Sequence, residues 1–438
     1  MEGKPQYRYN RVRPTRSVTS DANFNGEIQF EWAATSDVMV DLAHAYLDLN
    51  ATLVKGGGNW ILGATDNASD NNQGICQNPM GALFKSGVLY INDKEVSRVH
   101  QYGIESTMLK MTLTNKDEES GSGSPFEPVE YSADDYAGNS FDNSKSIVKG
   151  AVVVVRNDKN VSTVERLHKV SGDSVGRNDE APSTATDLPI KLSSTLAPFF
   201  VQSSNDEPLY SCKVRLSLQV DPDYKTKLIQ APNGQTLTFN ITDFNLNIPT
   251  YESLVGPPVG VEFNTRYMEA HSSIRSNNSD SFQITLPSPS IKYIMVALGP
   301  QAVANSIDNN YYKGGFLVAS PITSMYVNFA NRTYPSPQYD FTGGRDYKRA
   351  YEDYVNFTMA RSMGTAPMLS FSQWLMTPVF VFITQPTPGN QSNILDVQIR
   401  GGDPLDGVLI TAWYDKELSI SYGSSGEVIN TTVSFLNE

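Results

Sequence analysis

Val88-Leu89-Tyr90-Ile91-Asn92 and, far along the chain, Met325-Tyr326-Val327-Asn328-Phe329 are the two stretches on which the reading turns. Each has strand character. Each is followed by a polar turn, Asp93-Lys94-Glu95 in the first case and Ala330-Asn331-Arg332 in the second. Each then leads, about ten to twenty residues on, into a Tyr-containing stretch with helical spacing. A three-residue echo alone is near chance in a chain of 438 residues. The shared order of strand, turn and helix points instead to one architectural unit used twice.

Working outward, the chain alternates like a β protein. Ile28, Phe30 and Trp32 alternate with Gln29 and Glu31, and Val38, Val40 and Leu42 with Met39 and Asp41. Tyr46 to Leu53 continues the series until Gly56-Gly57-Gly58 breaks it. Further strands are expected at Ile147 to Val155, Leu188 to Val201, Leu209 to Val220 and Leu237 to Ile248. After Gly256-Pro257-Pro258 the pattern restarts: Val261 to Met268, Ser281 to Leu286, Ile291 to Leu298, Phe316 to Ala319 and Ser324 to Ala330. Val379 to Thr384, Leu395 to Arg400, Val408 to Tyr414, Leu418 to Tyr422 and Val428 to Phe435 close the series. Two helices interrupt it. Ile104, Met108 and Met111 give a short one, and Tyr347, Ala350, Tyr351, Tyr354 and Thr358 a longer one, opposite Asp346, Lys348, Arg349, Glu352 and Asp353. Roughly eight strands and one helix per half read as two tandem eight-stranded jelly rolls, an all-β fold with short inserted helices. The expected divisions are an arm at 1–25, a first jelly roll at 26–258 and a second at 259–438. Residues 115–145 and 157–187 read as long acidic loops within the first jelly roll.

Composition narrows the class. Cys76 and Cys212 are the only cysteines, too few for a disulfide framework and suited to a reducing compartment. There is no run of 18 apolar residues and no apolar core of a signal peptide at the start, so a soluble intracellular protein is expected. Sequons at Asn67, Asn160, Asn240, Asn331, Asn356 and Asn430 read as chance in an Asn-rich chain. The net charge of −13 repels nucleic acid and membranes overall. Residues 1–16 depart from this, with Lys4, Arg8, Arg11, Arg13 and Arg16 against Glu2 alone, and read as a mobile basic arm.

No constellation carries catalysis. His44, His100, His168 and His271 lie in separate elements, none with a second His or Cys at zinc-ligand spacing. Phosphate-binding, nucleophile-elbow and dinucleotide signatures are missing from the sequence. Asp66 to Gly74 fails calcium-loop spacing, and Asp134-Asp135 reads as a solvated turn rather than half of a glycosidase pair. Neither cofactor, metal nor small-molecule substrate is implied. Tyrosine and phenylalanine serve large contact surfaces or sandwich cores equally well. In strands they read as core, and Tyr347, Tyr351 and Tyr354 as one helix face laid on a sheet.

From about Gly26 to Phe435 the succession of blocks resembles the double jelly-roll major capsid proteins of Polinton (Maverick) elements, adintoviruses and Polinton-like viruses, relatives of virophage capsid proteins and, distantly, of adenovirus hexon. Glu27-Ile28-Gln29-Phe30, Val40-Asp41-Leu42-Ala43 and Tyr46-Leu47-Asp48-Leu49 are similar to the family's first strands. Leu83-Phe84 through Val88-Leu89-Tyr90-Ile91-Asn92-Asp93-Lys94 resembles its next strand and turn, with Asp93 where a glycine is usual. Tyr102 to Leu113 resembles the helix that follows, and Leu188-Pro189-Ile190 through Leu218 the closing strands of the first jelly roll. In the second half Ile294-Met295-Val296-Ala297-Leu298, Tyr326-Val327-Asn328, Tyr334-Pro335, Arg349-Ala350-Tyr351 and Val397-Gln398-Ile399-Arg400 follow the family's order. The acidic insert at 115–187 matches no block.

The resemblance implies a major capsid protein without enzymatic activity, forming homotrimeric, pseudo-hexameric capsomers of an icosahedral shell around a double-stranded DNA genome. Its partners would be copies of itself, neighbouring capsomers, and penton and minor capsid proteins. It would reside in the virion capsid, assembled in the host cytoplasm or nucleus. Because the family's N-terminus lies on the shell's inner side, Lys4, Arg8, Arg11, Arg13 and Arg16 are expected to contact an inner membrane, packaged DNA or a minor capsid protein. Two rivals stand beside this. A minor capsid or penton-type component usually has one jelly roll per chain. A carbohydrate-binding tandem β-sandwich needs a carboxylate-lined cleft or a calcium loop.

Overall fold

The alternation seen in sequence becomes two sandwiches in the computed structural model, which describes residues 8–35, 38–56, 74–75, 78–113, 146–149, 152–155, 187–196, 198–202, 209–230, 237–252, 259–260, 262–276, 281–288, 290–300, 322–361, 369–376, 378–384, 392–401 and 406–436. The first is built from β1 (Arg8–Val12), β2 (Glu27–Ala33), β3 (Tyr46–Lys55), β4 (Phe84–Ile91), β5 (Lys94–Val99), β6 (Asp187–Thr195), β7 (Lys213–Val220) and β8 (Leu237–Glu252). The second is built from β9 (Glu262–Ser276), β10 (Ser281–Thr285), β11 (Tyr293–Pro300), β12 (Ile322–Phe329), β13 (Arg332–Asp340), β14 (Val379–Ile383), β15 (Ile394–Gly401) and β16 (Asp406–Tyr422).

Their topologies coincide. In the first sandwich one sheet runs β6-β3-β8-β1 and the other β2-β7-β4-β5; in the second the sheets run β14-β11-β16-β9 and β10-β15-β12-β13. All pairings are antiparallel, and every strand of the second sandwich takes the place of the strand eight numbers before it. Two four-stranded sheets joined this way are a jelly roll, so the chain holds two of them. Helix α1 (Tyr102–Leu113) follows β5, and helix α2 (Tyr347–Arg361) follows β13, again at matching places. Further strands extend the larger sheets: Val38–Val40 beside β8 with Leu209–Tyr210 outside it, Val201–Gln202 beside β9, and Val428–Phe435 along the far half of β16.

The echo at Tyr90 and Tyr326 does mark one strand used twice. β4 and β12 even share the same order of buried and exposed positions. Their turns match as well: Asn92 and Asp93 have φ of 50° and 61°, Ala330 and Asn331 of 52° and 58°. Two consecutive positive-φ residues make the hairpin turn whose twist suits the flanking strands. Aligning these turns, however, puts Tyr90 opposite Asn328, so the triplets are two residues out of register. A slip of two keeps every side chain on its face, which is why the pattern survived it.

Several expectations are corrected. Residues 1–25 are not a mobile arm from Arg8 onward. β1 pairs with Leu246 to Thr250 of β8, and Phe24 sits 2% exposed among Phe84, Tyr224, Phe239 and Phe244. Burying that ring stabilises the sandwich by about 2 kcal/mol, more than a polar leader could offset. The segment read as one strand at Ile147 to Val155 is two antiparallel strands, Ser146–Lys149 paired with Val152–Val155. Conversely, Val408 to Tyr414 and Leu418 to Tyr422 are the single strand β16. The intervening Asp415-Lys416-Glu417 are each neutralised by an ion pair, with Lys292 (3.2 Å), Glu269 and Arg266 (4.0 Å) respectively. β13 was not foreseen, since Pro335 and Pro337 argue against a strand; as an edge it needs few of its N–H groups. The short helix Pro79–Leu83 was likewise not foreseen. Lys4, Cys76, His168, the Asp66 loop, the expected strand Phe316 to Ala319 and most of 115–187 lie outside the described residues.

Candidate assembly surfaces

The basic residues singled out in sequence are placed very differently from one another. Arg8 and Arg11 are exposed on β1, and Arg11 pairs with Asp243 of β8. Arg13 is exposed just past the strand. Arg16 turns back on the fold: its guanidinium donates to the carbonyl oxygens of Glu27 (2.9 Å), Asn23 (3.1 Å) and Asn25, pinning the entry to β2. A guanidinium with several fixed donors suits this use.

The two jelly rolls meet along a buried, polar seam that the sequence did not reveal. From the first come β5, its turn, and α1; from the second come β9, β16 and the terminal strand. Tyr267 donates its hydroxyl to the Val96 carbonyl at 2.7 Å, and the Arg98 N–H donates to Glu269 at 2.9 Å. Glu269, 6% exposed, also accepts from the Tyr414 hydroxyl (2.7 Å) and pairs with Lys416. The Asn92 amide donates to Thr431 (3.0 Å), and Phe200 stacks on Tyr267 with centroids 4.9 Å apart. At the other end the Tyr354 hydroxyl of α2 donates to the carbonyl of Met111 at the end of α1 (2.6 Å). Hydroxyls of Thr112 and Thr411 reach Met295 and Met108 across the join.

Glu105 lies inside this seam, on the first turn of α1, 2% exposed. Its Oε1 accepts from the Gln101 N–H at 3.2 Å. Burial drives its carboxyl up to about 7, with the Ser272 hydroxyl pulling back and Glu269 adding repulsion. Burial also holds His271 below its usual value, and pushes the Cys212 thiol up to about 12. Such a thiol is inert. His44 is occupied by Asp41 at 2.8 Å. Among the described residues no three His, Cys, Asp or Glu converge as a metal site.

What the seam leaves open are edges. β13 borders a shallow groove of about 590 Å³ lined by Arg332, Thr333, Tyr334, Ser336 and Ile383. Ile383 is 56% exposed and, on the other sandwich, Tyr9 of β1 is 58% exposed. Glu269, Tyr267 and Glu105 had only weak sequence signals: a carboxylate within Tyr267-Met268-Glu269-Ala270, and another within the apolar spacing of α1.

Two jelly rolls locked side by side in one chain define the double jelly-roll fold. Solved capsid structures share it across nearly the full chain. The cryo-electron microscopy structure of the Sputnik virophage superposes with a TM-score of 0.64 at 12% identity, covering 99% of this chain and 90% of that chain. The mavirus major capsid protein gives 0.53 at 11% identity, covering 98% and 90%, and the Faustovirus major capsid protein 0.55 at 9%, covering 95% and 91%. No protein-family model matches the chain. No curated protein matches it by sequence.

Proposed function

We propose that this chain is the major capsid protein of a double-stranded DNA virus or virus-like element, forming trimeric capsomers with a pseudo-hexagonal outline that tile an icosahedral shell. One observation carries the reading. The same eight-strand topology occurs twice and is fused by a hydrogen-bonded seam, so three chains would present six equivalent wedges around an axis. Its work is geometric, not catalytic: contacts within the capsomer are extensive, and lateral ones weaker. Penton and minor capsid proteins complete the set of partners, and Lys4 with the exposed Arg13 is assigned to the shell's inner side, facing anionic DNA or membrane. Light scattering and negative-stain imaging of purified protein test this. A particle of three chain masses with a hexagonal outline is expected. A stable monomer at high concentration would overturn it.

A further inference from the structure

Because the two sandwiches are the same fold, the seam between them is a template for a second seam that one chain cannot make. Counterparts follow from strand register. β3 and β11 each begin with a tyrosine, Tyr46 and Tyr293, which face Asn247 and Trp413. Those residues face Arg11 and Ala270 on the first strands. Counting back along β1 and β9 then sets Arg8 against Tyr267 and Asn10 against Glu269. On the donor side, counting from the matched hairpin turns sets Tyr334 against Val96 and Ser336 against Arg98.

The positions that make the seam within the chain therefore have named equivalents elsewhere, and those equivalents are exposed or half-buried. Tyr267, Glu269 and Val96 are 0%, 6% and 0% exposed. On the other side Arg8 and Tyr9 are exposed on β1, and Tyr334 and Ser336 line the open groove beside β13. Ile383, at the groove's rim, ends β14 as Thr195 ends β6, just before Phe200 stacks on Tyr267.

We infer that β1 of one copy docks into the β13 groove of a second copy, repeating between chains the contact that β9 makes with β5 within a chain. Arg8, standing where Tyr267 stands in the internal seam, lies against Tyr334 as Tyr267 lies against Val96, and Ile383 at the rim adds apolar surface on the side that Phe200 fills internally. The main chain of Tyr334 to Ser336 meets the side chains of Arg8 and Asn10, as that of Val96 to Arg98 meets Tyr267 and Glu269. The contact is head-to-tail, so each copy uses both surfaces and a ring closes when its rotation is right. This deepens the capsomer reading and rests on it.

The test uses two single variants of the full chain, Asn10→Cys and Ser336→Cys, each carrying Cys76→Ser and co-expressed. After mild oxidation, a disulfide-linked dimer is expected from the pair and from neither variant alone, since neither copy then carries both halves. Ile383→Glu in the otherwise unaltered chain is expected to shift the purified particle from three chain masses to one, with thermal unfolding unchanged. Hexagonal particles that form without the Asn10–Ser336 link and survive Ile383→Glu would overturn this seam and leave the capsomer reading standing. A chain that stays monomeric before any substitution would overturn both.

Discussion

Asn92 shows how one side chain serves turn and seam at once. Its φ of 50° is strained for most L-residues, and its amide accepts from the Lys213 N–H (2.8 Å) while donating to Thr431 (3.0 Å). Asn92→Ala is expected to lower stability by about 2–3 kcal/mol, through αL strain and two lost hydrogen bonds. Asn92→Gly should recover only the strain, and paired denaturation curves separate the two. Glu105 sets a pH dependence in the same region. Its carboxyl titrates near 4.5 when unfolded and near 7 when folded, so the folded state keeps the proton between those values. Its contribution is complete below pH 4.5 and is lost as pH rises through 7. Glu105→Gln is expected to flatten that decline, gaining up to about 3 kcal/mol on the parent at pH 8 and little at pH 5. Parallel stability curves for parent and variant would count against a titrating Glu105.

At the scale of elements, legibility followed how strongly burial writes a period into sequence. β4 and β12 each bury one face, so alternation exposed both, and even the two-residue slip in the echo left their identity readable. α2 was legible for the same reason, since Tyr347, Ala350 and Tyr354 are buried and Lys348 and Glu352 exposed. β13 was not, because an edge strand whose residues are mostly exposed imposes no period and tolerates two prolines. β1 failed differently. Five residues of Arg-Tyr-Asn-Arg-Val have one buried side chain, Val12, and only pairing with β8 makes them a strand. Gly87 is a further detail that composition hides: a Cβ there would meet the Phe199 ring at 2.6 Å and Leu218 at 2.9 Å. Gly87→Ala is expected to cost about 1–3 kcal/mol by overpacking, read as a shift in urea midpoint. Phe199→Leu in that background should recover part of the loss, because the ring is what the new methyl strikes.

For the whole molecule, the candidate site was the least legible part, since an interface between two distant halves has no local signature. Glu269 and Lys416 lie far apart in sequence with no local sign of their pairing, yet the seam buries Glu269, half-buries Lys416 and gives Glu269 the Tyr414 hydroxyl and the Arg98 N–H as well. The buried residues of both sandwiches form one continuous cluster, so neither half presents a finished surface without the other. Chemical denaturation should accordingly show one transition for the pair, monitored by tryptophan fluorescence and circular dichroism together. Glu269→Ala removes the partner of a Lys416 whose side chain is 14% exposed, and leaves the Arg98 N–H and Tyr414 hydroxyl without their acceptor. The expected loss is about 3–5 kcal/mol, the cost of a stranded buried charge. Adding Lys416→Met should restore much of it, because the penalty belongs to the unpaired ammonium more than to the missing bond. If Glu269→Ala instead splits the curve into two transitions, the ion pair is what couples the jelly rolls. If the curve stays single and merely shifts, the shared apolar cluster couples them and the polar contacts set their register.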